Sequence, residues 1–270
     1  MPRTAGQIPC LLRALPWFLA LLTGCAATSG QGARQGSFWP TWHRVGVAAV
    51  EAARSPATWA PLLGAGVLRI GDADEEISEW ARDETPLFGA NEAADTASDV
   101  LRWTAAGAYA ATVIAGRRGG TGASRPSPAR KLGVGAMAEA MNIGATQGLK
   151  ELTERERPDA SNDRSFPSQH TSDAALFATL GVREIEALAP PASRRELLRW
   201  IFGGLAAGTA WARVEGGEHF PSDVLVGAAL GHFVAALFYS AFLDAHEGRA
   251  VMPEVTVSRQ AWRVGFRAAF

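Results

Sequence analysis

The sequence predicts an all-α protein built as a single helical bundle domain. Three observations carry that prediction. Successive segments of helical length are apolar and rich in small residues, helix-start signals stand ahead of several of them, and the composition sets 29 glycines and 9 tryptophans against 2 tyrosines. Such a composition suits closely packed helices better than stacked sheets. With 47% hydrophobic and 20% charged residues among 270, the chain can bury one large core and is neither disordered nor fibrous. Its net charge of -1 gives no overall basic field, so nucleic acid is not an expected partner.

The N-terminus reads as processing information. Arg3 and Arg13 precede the apolar run Ala14 to Leu22, and Thr23-Gly24-Cys25 follow. A positive start, a short apolar stretch and small residues make a secretory signal over 1–24, too short to span a bilayer, which takes about 20 residues. Leu22-Thr23-Gly24-Cys25 resembles the lipobox of bacterial lipoproteins, which implies acylation of Cys25; an ordinary signal peptide with an incidental cysteine reads alike. Residues 25–40 then form a tether. Ala26 stands where an inner-membrane retention signal has Asp, so the resemblance favours a lipid anchor in the outer membrane of a bacterial envelope, facing the periplasm. Cys10 and Cys25 are the 2 cysteines, so no structural disulfide is expected in the folded domain at 41–250.

Along that domain, Trp42 to Ile70 reads as two helices broken near Ser55-Pro56. Asp72 to Asp95 is acidic and reads as short helix mixed with loop. Ala97 to Gly116 is a helix as apolar as a membrane span, although Arg102 sits inside it. Arg117 to Arg130 is a Gly/Ser/Pro/Arg-rich loop. Lys131 to Glu156 reads as one helix, in which Gly135, Ala138 and Ala145 let neighbours approach. The next helix runs from Thr171 to Leu188, with Thr171 or Ser172 as cap and Asp173 in its first turn. Ser193 to Ala212 follows, then Pro221 to Ala245, where proline at a helix start costs no hydrogen bond. This last helix is long enough to cross a bilayer, yet His232 lies in its middle, and a bundle tethered to the membrane is favoured over spanning helices. Residues 251–270 alternate in β-formers and read as a tail that can form a short strand or hairpin.

Three short islands carry chemistry. In Lys150-x6-Arg157-Pro158 the spacing is about two helical turns, which puts both cations on one helix face; a solvated charged helix end would have the same spacing. In Ser165-Phe166-Pro167-Ser168-Gln169-His170-Thr171, a hydroxyl, a histidine and free backbone N–H groups precede a helix, a natural anion site; a plain cap beside a surface histidine is the alternative. In Arg213-x5-His219-x3-Asp223, a carboxylate four residues after the histidine can hold one ring N–H and leave the other nitrogen free to attack. Gly216-Gly217 supplies the turn that brings Arg213 back to the same point. A satisfied surface histidine is the plain alternative here.

In order and spacing, the islands resemble the signature of the type 2 phosphatidic acid phosphatase superfamily, which includes bacterial acid phosphatases and vanadium haloperoxidases. The family pattern is Lys-x6-Arg-Pro, Pro-Ser-Gly-His and Ser-Arg-x5-His-x3-Asp. Here Lys150, Arg157, Pro158, Pro167, Ser168, His170, Arg213, His219 and Asp223 match it. Gln169 replaces the family's Gly, which is harmless only if that backbone needs no positive φ, and Ala212 replaces the Ser before Arg213.

The resemblance implies that Lys150, Arg157, Ser168, Gln169 and Arg213 hold the phosphate. It makes His219 the nucleophile, oriented by Asp223, and His170 the acid and then the base. It implies a metal-independent phosphomonoester hydrolase with a phosphohistidine intermediate and no cofactor. The expected substrate is a lipid phosphate such as phosphatidate or a polyprenyl phosphate, or else a small soluble phosphomonoester. A vanadate-dependent haloperoxidase uses the same residues, and a non-catalytic envelope binding protein on this fold is the other alternative.

Overall fold

Proline and hydroxyl side chains punctuate the helices of this chain. A computed structural model describes residues 38–116 and 126–244, with the backbone of two strands beyond them. The signal at 1–24, Cys25, most of the tether and the centre of the 117–130 loop lie outside the described residues. Eight helices are described: α1 (Trp42–Arg54), α2 (Pro56–Leu68), α3 (Ala73–Glu84), α4 (Asn91–Gly116), α5 (Pro128–Thr153), α6 (Gln169–Leu188), α7 (Ala192–Glu215) and α8 (Pro221–Phe242). Thr41 caps α1 by accepting from the Arg44 amide at 3.3 Å, and Ser127 caps α5 by accepting from the Arg130 amide at 3.3 Å. Pro56, Pro128 and Pro221 all sit in a first turn, where no amide hydrogen is needed. The tail folds as a hairpin, β1 (Val251–Val257) antiparallel to β2 (Trp262–Ala268), with Val251 opposite Ala268.

Several element boundaries differ from the sequence reading; α5 starts at Pro128 rather than Lys131, inside the expected loop, and α7 runs on to Glu215 rather than Ala212. The acidic stretch after Asp72 is a full helix, α3, which buries Asp74, Ser78 and Ala81 on one side. Its polar composition hid an amphipathic face. α4 begins at Asn91 rather than Ala97, which places Asp95 on a helix. α5 stops at Thr153 because Glu154 takes a left-handed conformation (φ 43°), so Arg157 lies beyond the helix and not two turns along it. Finally, α6 starts at Gln169 with Ser168 as its N-cap residue, which puts Thr171 and Ser172 inside the helix.

α6 and α8 share the most extensive interface, with α2 packed on α8 and with α4 and α7 packed on α6. The main core joins Tyr109 and Val113 of α4, Val134 and Ala138 of α5, Leu176 and Leu180 of α6, and Val234, Ala235 and Tyr239 of α8. α8 reaches α6 so closely because Gly227 and Gly231 lie one turn apart on the contact face. A Cβ at these positions would stand 2.5 Å from the Ser168 carbonyl oxygen and 2.0 Å from that of Ser172. α8 is the one described helix long and apolar enough to cross a membrane, and half of its most apolar stretch is buried in the bundle. His232 in its middle has both ring nitrogens within hydrogen-bond range of hydroxyls, Ser55 at 2.9 Å and Thr179 at 3.0 Å.

Candidate active site

The start of α8 organises the site. Asp223 is fully buried, and its Oδ2 accepts from the Phe220 amide at 3.0 Å and from the Ser165 hydroxyl at 2.5 Å. Its Oδ1 accepts from Arg155, whose other terminal nitrogen donates to Asp74 Oδ2 at 2.8 Å. Asp74 in turn accepts from the Ser222 amide at 2.8 Å and from the Ser222 hydroxyl. A buried carboxylate is tolerable only when paired and hydrogen-bonded, and both are. The Asp223 carbonyl also accepts from the Ser168 amide at 3.1 Å, which ties the second island to the third.

His219 lies just before α8 with 1% of its surface exposed. The Gly216-Gly217 turn, with Gly217 at φ 70°, folds the chain back so that the Glu218 and His219 amides both donate to the Arg213 carbonyl at 3.1 Å. Only glycine takes that φ without strain. His219 Nδ1 stands 3.9 Å from Asp223 Oδ2, outside hydrogen-bond range, and is buried with no other partner. Burial pushes the imidazole down to about 4; Asp223 pulls it up, while Arg213 and Lys150 push it down. In the free protein His219 is therefore neutral at physiological pH.

Three cations converge beside it. Lys150 is 5% exposed and Arg213 is 3% exposed. Lys150 donates to the Arg164 carbonyl. Burial first, and then the charge of Arg157, lowers its pKa to about 8. Arg213 Nη2 donates to Glu218 Oε2 at 2.7 Å, its Nη1 donates to Asp95 and, at 3.3 Å, to the Ser98 hydroxyl, and burial opposes its charge. Arg157 donates to the same Glu218 Oε2. The Nε atoms of both arginines are buried without a partner.

The second island meets this cluster at the N-terminus of α6. Ser168 is fully buried, and its hydroxyl accepts from Thr171 Oγ1 at 3.1 Å. Gln169 has no positive φ, so the backbone accommodates it in place of glycine. Its side chain turns away into the core, donating to Asp173 and accepting from Thr146. His170 Nε2 is 3.0 Å from Asp99 Oδ1. Burial, then Arg213 and Arg102, push its pKa down to about 3 against the pull of Asp99.

The eight residues singled out from the three islands thus lie in one connected cluster, although Gln169 presents only its backbone to it. Sequence reading missed the shell around them: Asp74, Asp95, Asp99, Arg155 and Glu218. A signal for two of these was present. Asp95, Ser98, Asp99 and Arg102 recur at helical spacing and so share one face of α4, which holds Arg213 through Asp95 and Ser98 and His170 through Asp99. Among the described residues no group of three His, Cys, Asp or Glu side chains is arranged to hold a metal ion.

Comparison with known proteins agrees with the helical fold. Residues 131–247 match the PAP2 superfamily. No curated protein sequence matches the chain. Among solved structures, the fold is similar to a transmembrane PAP2-type phosphatidylglycerolphosphate phosphatase from Bacillus subtilis, with a TM-score of 0.51 and 23% identity over 71% of this chain and 94% of that one. Residues 131–247, which match the PAP2 superfamily, contain every site residue from Lys150 to Asp223 and lie within a helical bundle.

Proposed function

We propose that the chain is a phosphatase that hydrolyses phosphomonoesters of lipids through a phosphohistidine at His219, without a metal ion. One observation carries this reading: Lys150, Arg157 and Arg213 converge beside a buried neutral His219, with His170 at a helix N-terminus on the same cluster. Fixed cations supply the equatorial charge that phosphoryl transfer develops. Asp223 faces Nδ1, so Nε2 is the attacking atom. It forms the P–N bond as the ester P–O bond breaks, and the Nδ1 proton then draws Asp223 closer than 3.9 Å. His170 protonates the leaving alkoxide. It next takes a proton from the water that attacks phosphorus, breaks the P–N bond and frees phosphate.

Because burial, and then Arg213 and Arg102, keep His170 neutral in the free protein, its acid role needs the negative charge of bound substrate to counter them. Proton uptake accompanies binding. A lipid substrate is supported by outward apolar stripes on three helices: Trp59, Leu63 and Val67 of α2, Val100 and Trp103 of α4, and Leu197 and Trp200 of α7. Exposed apolar patches of this kind mark membrane or partner contact, and the acylation expected at Cys25 would act in the same direction.

The test is hydrolysis of p-nitrophenyl phosphate and of phosphatidate in detergent, with EDTA present, by wild type and His219→Ala. Turnover by wild type in EDTA and a loss of at least about a thousandfold in the variant are expected. Substantial turnover by His219→Ala removes His219 from the role.

A further inference from the structure

Glu218 holds a position that the proposed reaction does not explain. Its Oε2 accepts from Arg157 and from Arg213 Nη2, so one carboxylate oxygen bridges two of the three cations. These are terminal guanidinium N–H groups of the kind that a phosphate oxygen recruits. The residue sits one position before His219 in the chain, and its side chain is 19% exposed. It is thus held in the cluster and also borders solvent. By contrast, Asp95, the other carboxylate on Arg213, is 50% exposed and bonds the opposite terminal nitrogen.

We propose that Glu218 is an internal counter-ligand: its carboxylate occupies the place of one phosphate oxygen between Arg157 and Arg213 and competes with the phosphate anion for both. This inference rests on the reading of the cationic cluster as a phosphate site. In the free protein, Glu218 offsets the repulsion among Lys150, Arg157 and Arg213 and fixes the two guanidiniums at the spacing of a shared oxygen. When a phosphoryl group enters, the carboxylate is displaced or stands against it as a like charge. Either way the affinity for inorganic phosphate is lowered, and the product leaves readily. Glu218 is therefore a specificity-determining residue that tunes the site toward substrates anchored by the rest of their structure and away from the bare anion.

The sign of one measurement separates this role from a structural one. Glu218→Gln keeps the size and one acceptor oxygen but removes the charge. Inhibition of p-nitrophenyl phosphate hydrolysis by inorganic phosphate and by orthovanadate is compared between wild type and variant. A second readout, independent of turnover, is the rise in melting temperature produced by phosphate. The expected result is roughly tenfold tighter inhibition in Glu218→Gln, a larger phosphate-induced melting shift, and a lower melting temperature without phosphate. Asp95→Asn serves as the charge-matched comparison and should tighten inhibition far less.

Unchanged or weaker inhibition in Glu218→Gln overturns the proposal, because a residue that merely scaffolds the arginines would loosen anion binding when neutralised. Equal tightening in Asp95→Asn overturns it too, by showing a general charge effect. If neither wild type nor Glu218→Gln responds to phosphate or vanadate in either readout, the phosphate-site reading itself fails and this inference falls with it. Binding by wild type without tightening in the variant sinks the Glu218 role alone.

Discussion

At the scale of single residues, both histidines of the free site are kept neutral by burial rather than by specific bonds. His219 is lowered to about 4 and His170 to about 3 chiefly by loss of water, whereas Lys150 is lowered to about 8 by burial and by Arg157. For the histidines the folded pKa lies below the unfolded value, so the unfolded chain binds more protons once the pH drops through about 6.5. Their contribution to stability is intact above that pH and is lost as the pH falls toward 4. Activity has the opposite tolerance under the proposed mechanism: neutral His219 persists in acid, so a kcat/KM profile should retain the proposed nucleophile at pH 5. Because His170 takes up its proton on binding, kcat/KM declines with rising pH, and loss of charge on Lys150 near pH 8 adds a steeper alkaline limb. Lys150→Arg should move that limb up by at least about one pH unit, because guanidinium stays protonated, whatever its effect on the maximum. A limb that stays near pH 8 in Lys150→Arg assigns it to another group. The ionisable residues in motif positions were legible in the sequence. Arg155 was not: Lys-Glu-Leu-Thr-Glu-Arg-Glu-Arg reads as a solvated helix end, and only the left-handed turn at Glu154 sends Arg155 inward to Asp223 and Asp74.

At the scale of elements, what the sequence made legible was periodicity and punctuation. The break at Ser55-Pro56, the helix start at Pro221 and the turn at Gly216-Gly217 all follow from local chemistry, and the structure shows them at those residues. What it left obscure was set by long-range contacts. Half of α3 is acidic, and its inward face is recognisable only once Asp74 is seen to bind Ser222 and Arg155. The crossing of α8 over the start of α6 belongs to the same class, since nothing in the sequence distinguishes Gly227 and Gly231 from the other small residues of that apolar helix. Their lack of side chains lets α8 run against the Ser168 and Ser172 carbonyls, and this contact sets Asp223 against Ser168. Gly231→Ala puts a methyl group within 2.0 Å of the Ser172 oxygen, so backbone must shift. The expected cost is roughly 1–3 kcal/mol, typical of overpacking, read as a lower melting temperature by circular dichroism. Activity should fall further than stability at assay temperature explains, because the displaced element carries Ser168 and His170. Gly203→Ala on α7, where a Cβ meets nothing within 4 Å, should leave activity unchanged and stability equal or slightly higher. Loss of stability without any added loss of turnover would show that the crossing serves packing and not the site.

For the molecule as a whole, the distribution of apolar surface is the feature that most separates a lipid phosphatase from a soluble one. Trp59, Leu63 and Val67 stand four residues apart on α2, are between 46% and 67% exposed, and so form one stripe pointing away from the bundle. α2 packs along α8 by its other side, and the first turn of α8 carries Asp223. A membrane seated on this stripe would therefore be fixed relative to His219, the proposed nucleophile, through a single intervening helix. Polar replacement of the stripe, as in Leu63→Gln with Val67→Gln, touches no residue of the site and buries nothing new. With p-nitrophenyl phosphate in solution the variant should match wild type. With phosphatidate in phosphatidylglycerol-containing vesicles, the apparent KM should rise at least about fivefold, since each large apolar side chain withdrawn from water contributes on the order of 1.5–3 kcal/mol. Detergent-dispersed phosphatidate should restore near wild-type turnover, because the substrate then no longer has to be met at a bilayer surface. If vesicle turnover is unaffected while soluble turnover is also intact, α2 does not face the membrane, and the lipid reading must rest on another surface.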